Sequence, residues 1–104
     1  MPTSFQEQVY ALCKQIPKGK VSTYKGLAHA LHINSSQAIG QALKCNPYAP
    51  KVPCHRVIKS NGTIGGFMGQ TAGPEIQQKI KLLKQEGIKI ENGKISLQVY
   101  LHTF

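Results

Sequence analysis

Acidic residues are scarce in this chain: four stand against thirteen Lys plus Arg, leaving a formal charge of +9 over 104 residues. Twelve of the thirteen bases are Lys, spread along the whole length, and Arg56 is the sole Arg. An excess of that size on one small domain favours a polyanionic partner, and its spread suits phosphate contact better than a juxtamembrane block does. Long apolar runs are also missing. No stretch approaches the roughly 18 residues a membrane span needs, and MPTSFQEQVY lacks the basic and apolar regions of a signal peptide. Cysteine is sparse: Cys13, Cys45 and Cys54 cannot all pair within the chain, and none has a Cys or His partner at zinc-finger spacing. Reduced thiols in a soluble intracellular protein, in cytoplasm or nucleus, are expected, with no metal, no cofactor and no membrane partner.

Phe5, Val9, Leu12, Cys13 and Ile16 recur with helical spacing and predict an amphipathic helix, capped by Thr3 or Ser4 and stopped at Pro17-Lys18-Gly19-Lys20. Cys13 then reads as a core residue. Val21-Ser22 leads to Thr23 as a second cap, with Leu27, Ala28 and Leu31 as the buried stripe that follows. After the tight His32-Ile33-Asn34 connection, Ser35 can cap a third helix that buries Ala38, Ile39, Ala42 and Leu43 and turns Gln37, Gln41 and Lys44 outward. This pattern fits a helix-turn-helix over about 23–45. Pro47 and Pro50 impose an irregular loop. Ser60-Asn61-Gly62 reads as a turn between strands at 56–59 and 63–64, a ribbon that would form a wing, so active-site loop and wing span about 46–69. Gly65-Gly66-Phe67-Met68-Gly69 permits close approach of a ligand. Gly73-Pro74 opens a helix over about 74–86 that buries Ile76, Ile80 and Leu83, and Asn92-Gly93 marks a hairpin over about 88–95. The expected fold is mainly α with a small β wing, a winged helix-turn-helix-like DNA-binding domain occupying 1–104 as one unit.

Chemistry concentrates at Cys54, which follows Pro53 and precedes His55 and Arg56. A thiol attacks as its thiolate; an adjacent imidazole can take the proton, and the nearby cations favour the anion.

Pro53-Cys54-His55-Arg56-Val57 is similar to the active-site motif of the O6-alkylguanine-DNA alkyltransferase family, and the chain resembles that family's C-terminal active-site domain. The resemblance extends through Pro17 to Tyr24, Ala38 to Leu43, Asn46-Pro47, Gly65-Gly66-Phe67 and Leu82 to Gly87. It implies irreversible transfer of a methyl or larger alkyl group from O6-alkylguanine in DNA to Cys54, consuming the protein. It further implies that Glu86 orients His55, which reaches the thiol through a water, in the manner of a triad. Asn46 would brace the active-site loop and Tyr24 would help rotate the target nucleotide. Gly65, Gly66, Phe67 and Met68 would receive the flipped base, whose extrusion costs a few kcal/mol. Gln37, Ala38, Gln41, Lys44, Arg56 and Val57 complete the implied contacts to substrate and DNA. The partner would be double-stranded DNA containing alkylated guanine, bound by a monomer through the minor groove, which carries little sequence information.

The chain departs from the family at several points. Gln37 stands where an arginine normally enters the base stack, so weaker flipping or slower repair is expected. Phe67 replaces a common tyrosine, Met68 a small polar residue, and the stretch between Gly69 and Lys79 is longer than the family's. The family's N-terminal domain has no counterpart within 1–104, which should cost stability more than chemistry. The alternative is a non-catalytic lesion binder resembling the alkyltransferase-like proteins, which are similarly short but lack the reactive cysteine. A winged-helix transcription regulator with an incidental Cys is a third reading, distinguished by sequence-specific binding.

Overall fold

The computed structural model describes residues 3–44, 52–65 and 73–104. Helix α1 (Ser4–Gln15) begins at Thr3, whose hydroxyl accepts from the Gln6 amide at 3.1 Å while the Gln6 side chain accepts from the Thr3 amide at 2.9 Å. This reciprocal pair satisfies two donors that a helix start otherwise leaves open. Helix α2 (Tyr24–Ala30) is capped by Thr23, whose hydroxyl accepts from Gly26 at 2.9 Å. Helix α3 (Ser36–Lys44) starts beside Ser35, whose hydroxyl accepts from Ala38 at 3.1 Å. Between α2 and α3 the chain reverses at His32, which adopts φ 59°. The Ile33 amide then reaches back to the Ala28 carbonyl at 3.0 Å, closing the helix end as a left-handed cap does.

These three helices share one core. Val9, Tyr10 and Cys13 of the first, with Ile16 just after it, pack with Leu27 and Ala28 of the second and Ile39, Ala42 and Leu43 of the third. Tyr10 is buried, and its hydroxyl donates to the Ala42 carbonyl at 2.7 Å, fixing α1 against α3. A second cluster, made of Val21, Ile58, Ile64, Leu83, Ile88 and Ile95, lies under helix α4 (Pro74–Gln85) and the C-terminal hairpin. The segment after residue 51 bridges the two: Val52, Cys54 and Val57 belong to the first cluster and Ile58 to the second.

The β-structure differs from the expected ribbon. Arg56 is not in a strand but in a single 3₁₀ turn, Cys54–Arg56. Strand β1 (Ser22–Thr23) pairs in parallel with β2 (Val57–Ile58), Ser22 facing Val57 and Thr23 facing Ile58. Val57 and Ile58 are both fully buried, so the segment is apolar on both faces and takes a central place rather than an outer wing. The turn at 60–62 does form, with the Gly62 amide on the Lys59 carbonyl at 2.9 Å and the Lys59 amide on Thr63 at 3.0 Å. Thr63 then bridges to Lys94 of the hairpin formed by β3 (Ile90–Glu91) and β4 (Lys94–Ile95). That hairpin turns through Asn92 and Gly93, both at positive φ, the geometry an Asn-Gly turn serves. A short helix α5 (Leu97–Tyr100) follows, and the chain end lies along β1: Val21 donates to Tyr100 at 2.9 Å and accepts from His102 at 2.7 Å. The architecture is mostly helical, a helix-turn-helix supported by small sheets. Among the described residues no helix is long and apolar enough to cross a membrane.

Candidate active site

Cys54 opens the 3₁₀ turn. Its amide donates to the Val52 carbonyl at 2.8 Å and the Arg56 amide donates to Pro53 at 3.0 Å, so three consecutive side chains leave one tight bend in different directions. The Cys54 residue is 8% exposed, more enclosed than a thiol at the end of a surface loop would be, because Val52 and Val57 carry it into the helical core. His55 is 5% exposed.

Glu86, the C-cap residue of α4, meets the bend from the opposite side. His55 Nε2 lies 2.9 Å from Glu86 Oε2. Arg56 grips the same carboxylate with two donors, Nε to Oε1 at 2.9 Å and Nη2 to Oε2 at 2.8 Å, while Nη1 donates to the Ile16 carbonyl at 2.8 Å. Burial raises the Glu86 carboxyl, but hydrogen bonds from Arg56 and His55 outweigh it and hold the group below the usual carboxylate range. For His55, burial outweighs the pull of Glu86 and sets the imidazole below its ordinary value. At neutral pH the pair is therefore an uncharged imidazole on an ionised carboxylate. Nε2 must then carry the proton shared with Glu86, and Nδ1 keeps an open lone pair.

Lys79, which no sequence motif points to, is completely buried. Its ammonium donates to the Val57 carbonyl at 2.8 Å and the Ile64 carbonyl at 2.7 Å, and lies 6.0 Å from the centre of the Tyr24 ring. Burial pulls its pKa down to about 7, opposed by attraction to Cys54. A signal was available in the sequence: Lys79 stands three residues after Ile76 and four before Leu83, inside the apolar stripe of its helix.

Tyr24 is the first residue of α2, and its ring closes on Gly65, where an added Cβ would meet ring carbon at 3.1 Å. Gly65 also holds φ 76°, so the position needs glycine twice over. Gln37, Gln41 and Lys44 project from α3 to solvent and Ala38 is half-buried beside them. Two expected contacts need correction. The Val57 side chain is fully buried in the core, leaving it no surface to offer DNA, and the Arg56 guanidinium is committed to Glu86 and Ile16 rather than to phosphate. Asn46, Gly66, Phe67 and Met68, together with Cys45, lie outside the described residues.

Fold and site together define a helix-turn-helix domain that buries a cysteine beside a histidine held by a glutamate–arginine pair. Residues 4–88 match the family described as 6-O-methylguanine DNA methyltransferase, DNA binding domain, and the chain belongs to that family. A methylated-DNA-protein-cysteine methyltransferase of Candida glabrata is 42% identical over 96 residues, covering 91% of this chain and 44% of the relative. Its counterpart from Thermococcus sibiricus is 46% identical over 88 residues, 84% of this chain and 46% of the relative. The chain thus spans about half the length of these relatives. Among solved structures, S. pombe Atl1 in complex with damaged DNA containing O6-carboxymethylguanine superposes with a TM-score of 0.85 at 32% identity, covering 100% of both chains. The O6-methylguanine-DNA methyltransferase of Pyrococcus kodakaraensis gives 0.71 at 41% identity, over 83% of this chain and 47% of that one.

Proposed function

We propose that this chain is a DNA-repair protein that removes the alkyl group from O6-alkylguanine in double-stranded DNA and keeps it on Cys54, once per molecule. The observation that carries this reading is the Pro-Cys-His-Arg turn itself, which holds in one short bend a cysteine and an uncharged imidazole bound to ionised Glu86. At 8% exposure the thiol has little water to accept its proton, so the acceptor must be built into the site. In the step, the Cys54 sulfur bonds to the alkyl carbon as the bond from that carbon to guanine O6 breaks. The electron pair leaves with the purine, while the thiol proton passes to His55, directly or through a water, and the purine takes up one proton from solvent as the imidazolium later gives its proton back. The imidazolium so formed is stabilised by Glu86.

The +9 charge and the polar outer face of α3 favour DNA as the partner, approached by a monomer from the minor groove with the target nucleotide extruded. Tyr24, at the head of α2, would stand against the DNA backbone, and the loop starting at Gly65 would receive the base. That the matched domain is also the part carrying the reactive cysteine rests on Cys54 and its neighbours. The experiment is intact-mass measurement after incubation with an O6-methylguanine duplex. One methyl is gained by the native protein, and none by Cys54→Ser, which still binds the duplex.

A second reading, a lesion binder without chemistry, is favoured by the end-to-end likeness to Atl1, whose structure holds damaged DNA, and by Gln37 at the head of α3. Tight lesion binding with no mass gain would select it.

A further inference from the structure

Arg56 sits one residue beyond His55, and its side chain meets the same Glu86 carboxylate. Three charge-assisted hydrogen bonds of 2.8 to 2.9 Å, one from each guanidinium nitrogen, hold the Arg56 side chain at 16% exposure. Two of them make the parallel fork that fixes a carboxylate in plane and in rotation. Glu86 Oε2 is shared between Arg56 Nη2 and His55 Nε2, so the angle at which the imidazole meets the carboxylate is set by the guanidinium. The third bond, to the Ile16 carbonyl just past the end of α1, ties this arrangement to the helical core.

A carboxylate beside a histidine ordinarily has two effects: it orients the ring and it draws a proton onto it. A base already protonated cannot take another proton. Here burial is the main force against protonation, and the guanidinium adds to it by opposing the carboxylate's charge while holding the carboxylate in place. We propose that Arg56 is a positioning residue for the alkyl transfer: it locks Glu86 onto His55 and offsets that carboxylate's charge, so the imidazole stays an uncharged proton acceptor. Other charges face the ring too. Lys79 reaches it from α4 and opposes protonation in the same sense as Arg56, and Cys54 precedes it in the same turn. Glu86 is the group that favours the charged ring. Lys79 is unchanged in the variants below, so its contribution cancels.

The kinetic part of the test rests on Cys54 being the alkyl acceptor; the titration part does not. His55 is titrated by NMR in the native protein, Arg56→Met, Arg56→Lys and Glu86→Gln, with thermal melts at each pH. The midpoint is expected to rise in R56M, to stay near the native value in R56K and to fall in E86Q. Should R56M not fold, Arg56→Gln, which keeps a donor but no charge, takes its place with the same expectation. In parallel, the acid limb of the pH profile for transfer from O6-methylguanine DNA moves to higher pH in R56M. The rate at pH 7 falls about tenfold or more, within what general-base catalysis contributes, and R56K recovers most of it. A midpoint in R56M or R56Q equal to or below the native one overturns the proposal, as does an R56M profile lowered evenly at every pH, the signature of a merely structural role. If the native protein transfers nothing, the reading of Cys54 fails while the titration still decides the role of Arg56.

Discussion

At the scale of single residues, burial of charge is what distinguishes this molecule. Lys79 gives up all contact with water for two backbone carbonyls, and its pKa drops from 10.5 to about 7. The unfolded chain therefore holds a proton between those values that the folded chain has released, so stability rises with pH above about 7. Cys13 acts in the opposite sense: burial, with a smaller push from Cys54, lifts its thiol from 9.0 to about 12, so the unfolded chain loses a proton above 9 that the folded chain keeps. Urea unfolding should show stability climbing from pH 7 towards 9 and then levelling, and Lys79→Met should remove the climb while leaving the Val57 and Ile64 carbonyls without their donor, at about 1–3 kcal/mol. A flat native curve over pH 7 to 9 would contradict this. The pairing of His55 with Glu86 was readable from sequence because a resemblance named it. The role of Arg56 was not: its partners are Glu86, 30 residues on, and Ile16, 40 residues back, and no local rule reaches that far.

At the scale of elements, local chemistry was legible and long-range pairing was not. The caps at Thr3, Thr23 and Ser35 and the turn at Asn92-Gly93 obey rules that operate within four residues, and each forms. The pairing of β1 with β2 joins residues 35 positions apart, so a turn at 60–62 misled the reading of 56–59 as one arm of a hairpin. Two elements carry a measurable strain or cost. His32 holds φ 59°, so His32→Gly should stabilise the fold by about 0.5–1 kcal/mol in urea melts. Gly40 sits inside α3 with nothing within 4 Å of where a Cβ would stand, so internal packing gives no reason for it. Gly40→Ala should stabilise the free protein by roughly 1 kcal/mol. If α3 lies in a DNA groove, the same methyl weakens duplex binding severalfold, and unchanged or tighter binding would place the DNA elsewhere.

At the scale of the whole molecule, a strongly basic surface surrounds a site whose own charges are paired off internally. Glu86 is matched by Arg56 and held by His55, so apart from the buried Lys79 the net charge of +9 is left for the outside. Binding to undamaged duplex should fall at least about tenfold between roughly 50 and 200 mM salt, as counterion release requires, with little dependence on sequence. Titration by fluorescence anisotropy checks it, and a salt-independent affinity would argue against phosphate contact. The bend from 52 to 58 is gripped by both core clusters, so Cys54 is placed by the entire fold rather than by its loop. The most direct measurement is peptide-level mass spectrometry after the protein meets an equal amount of O6-methylguanine duplex. One methyl should be found on the Cys54 sulfur, with no second addition on fresh DNA; an unmodified Cys54 beside a fully bound, still methylated duplex would contradict alkyl transfer by this protein.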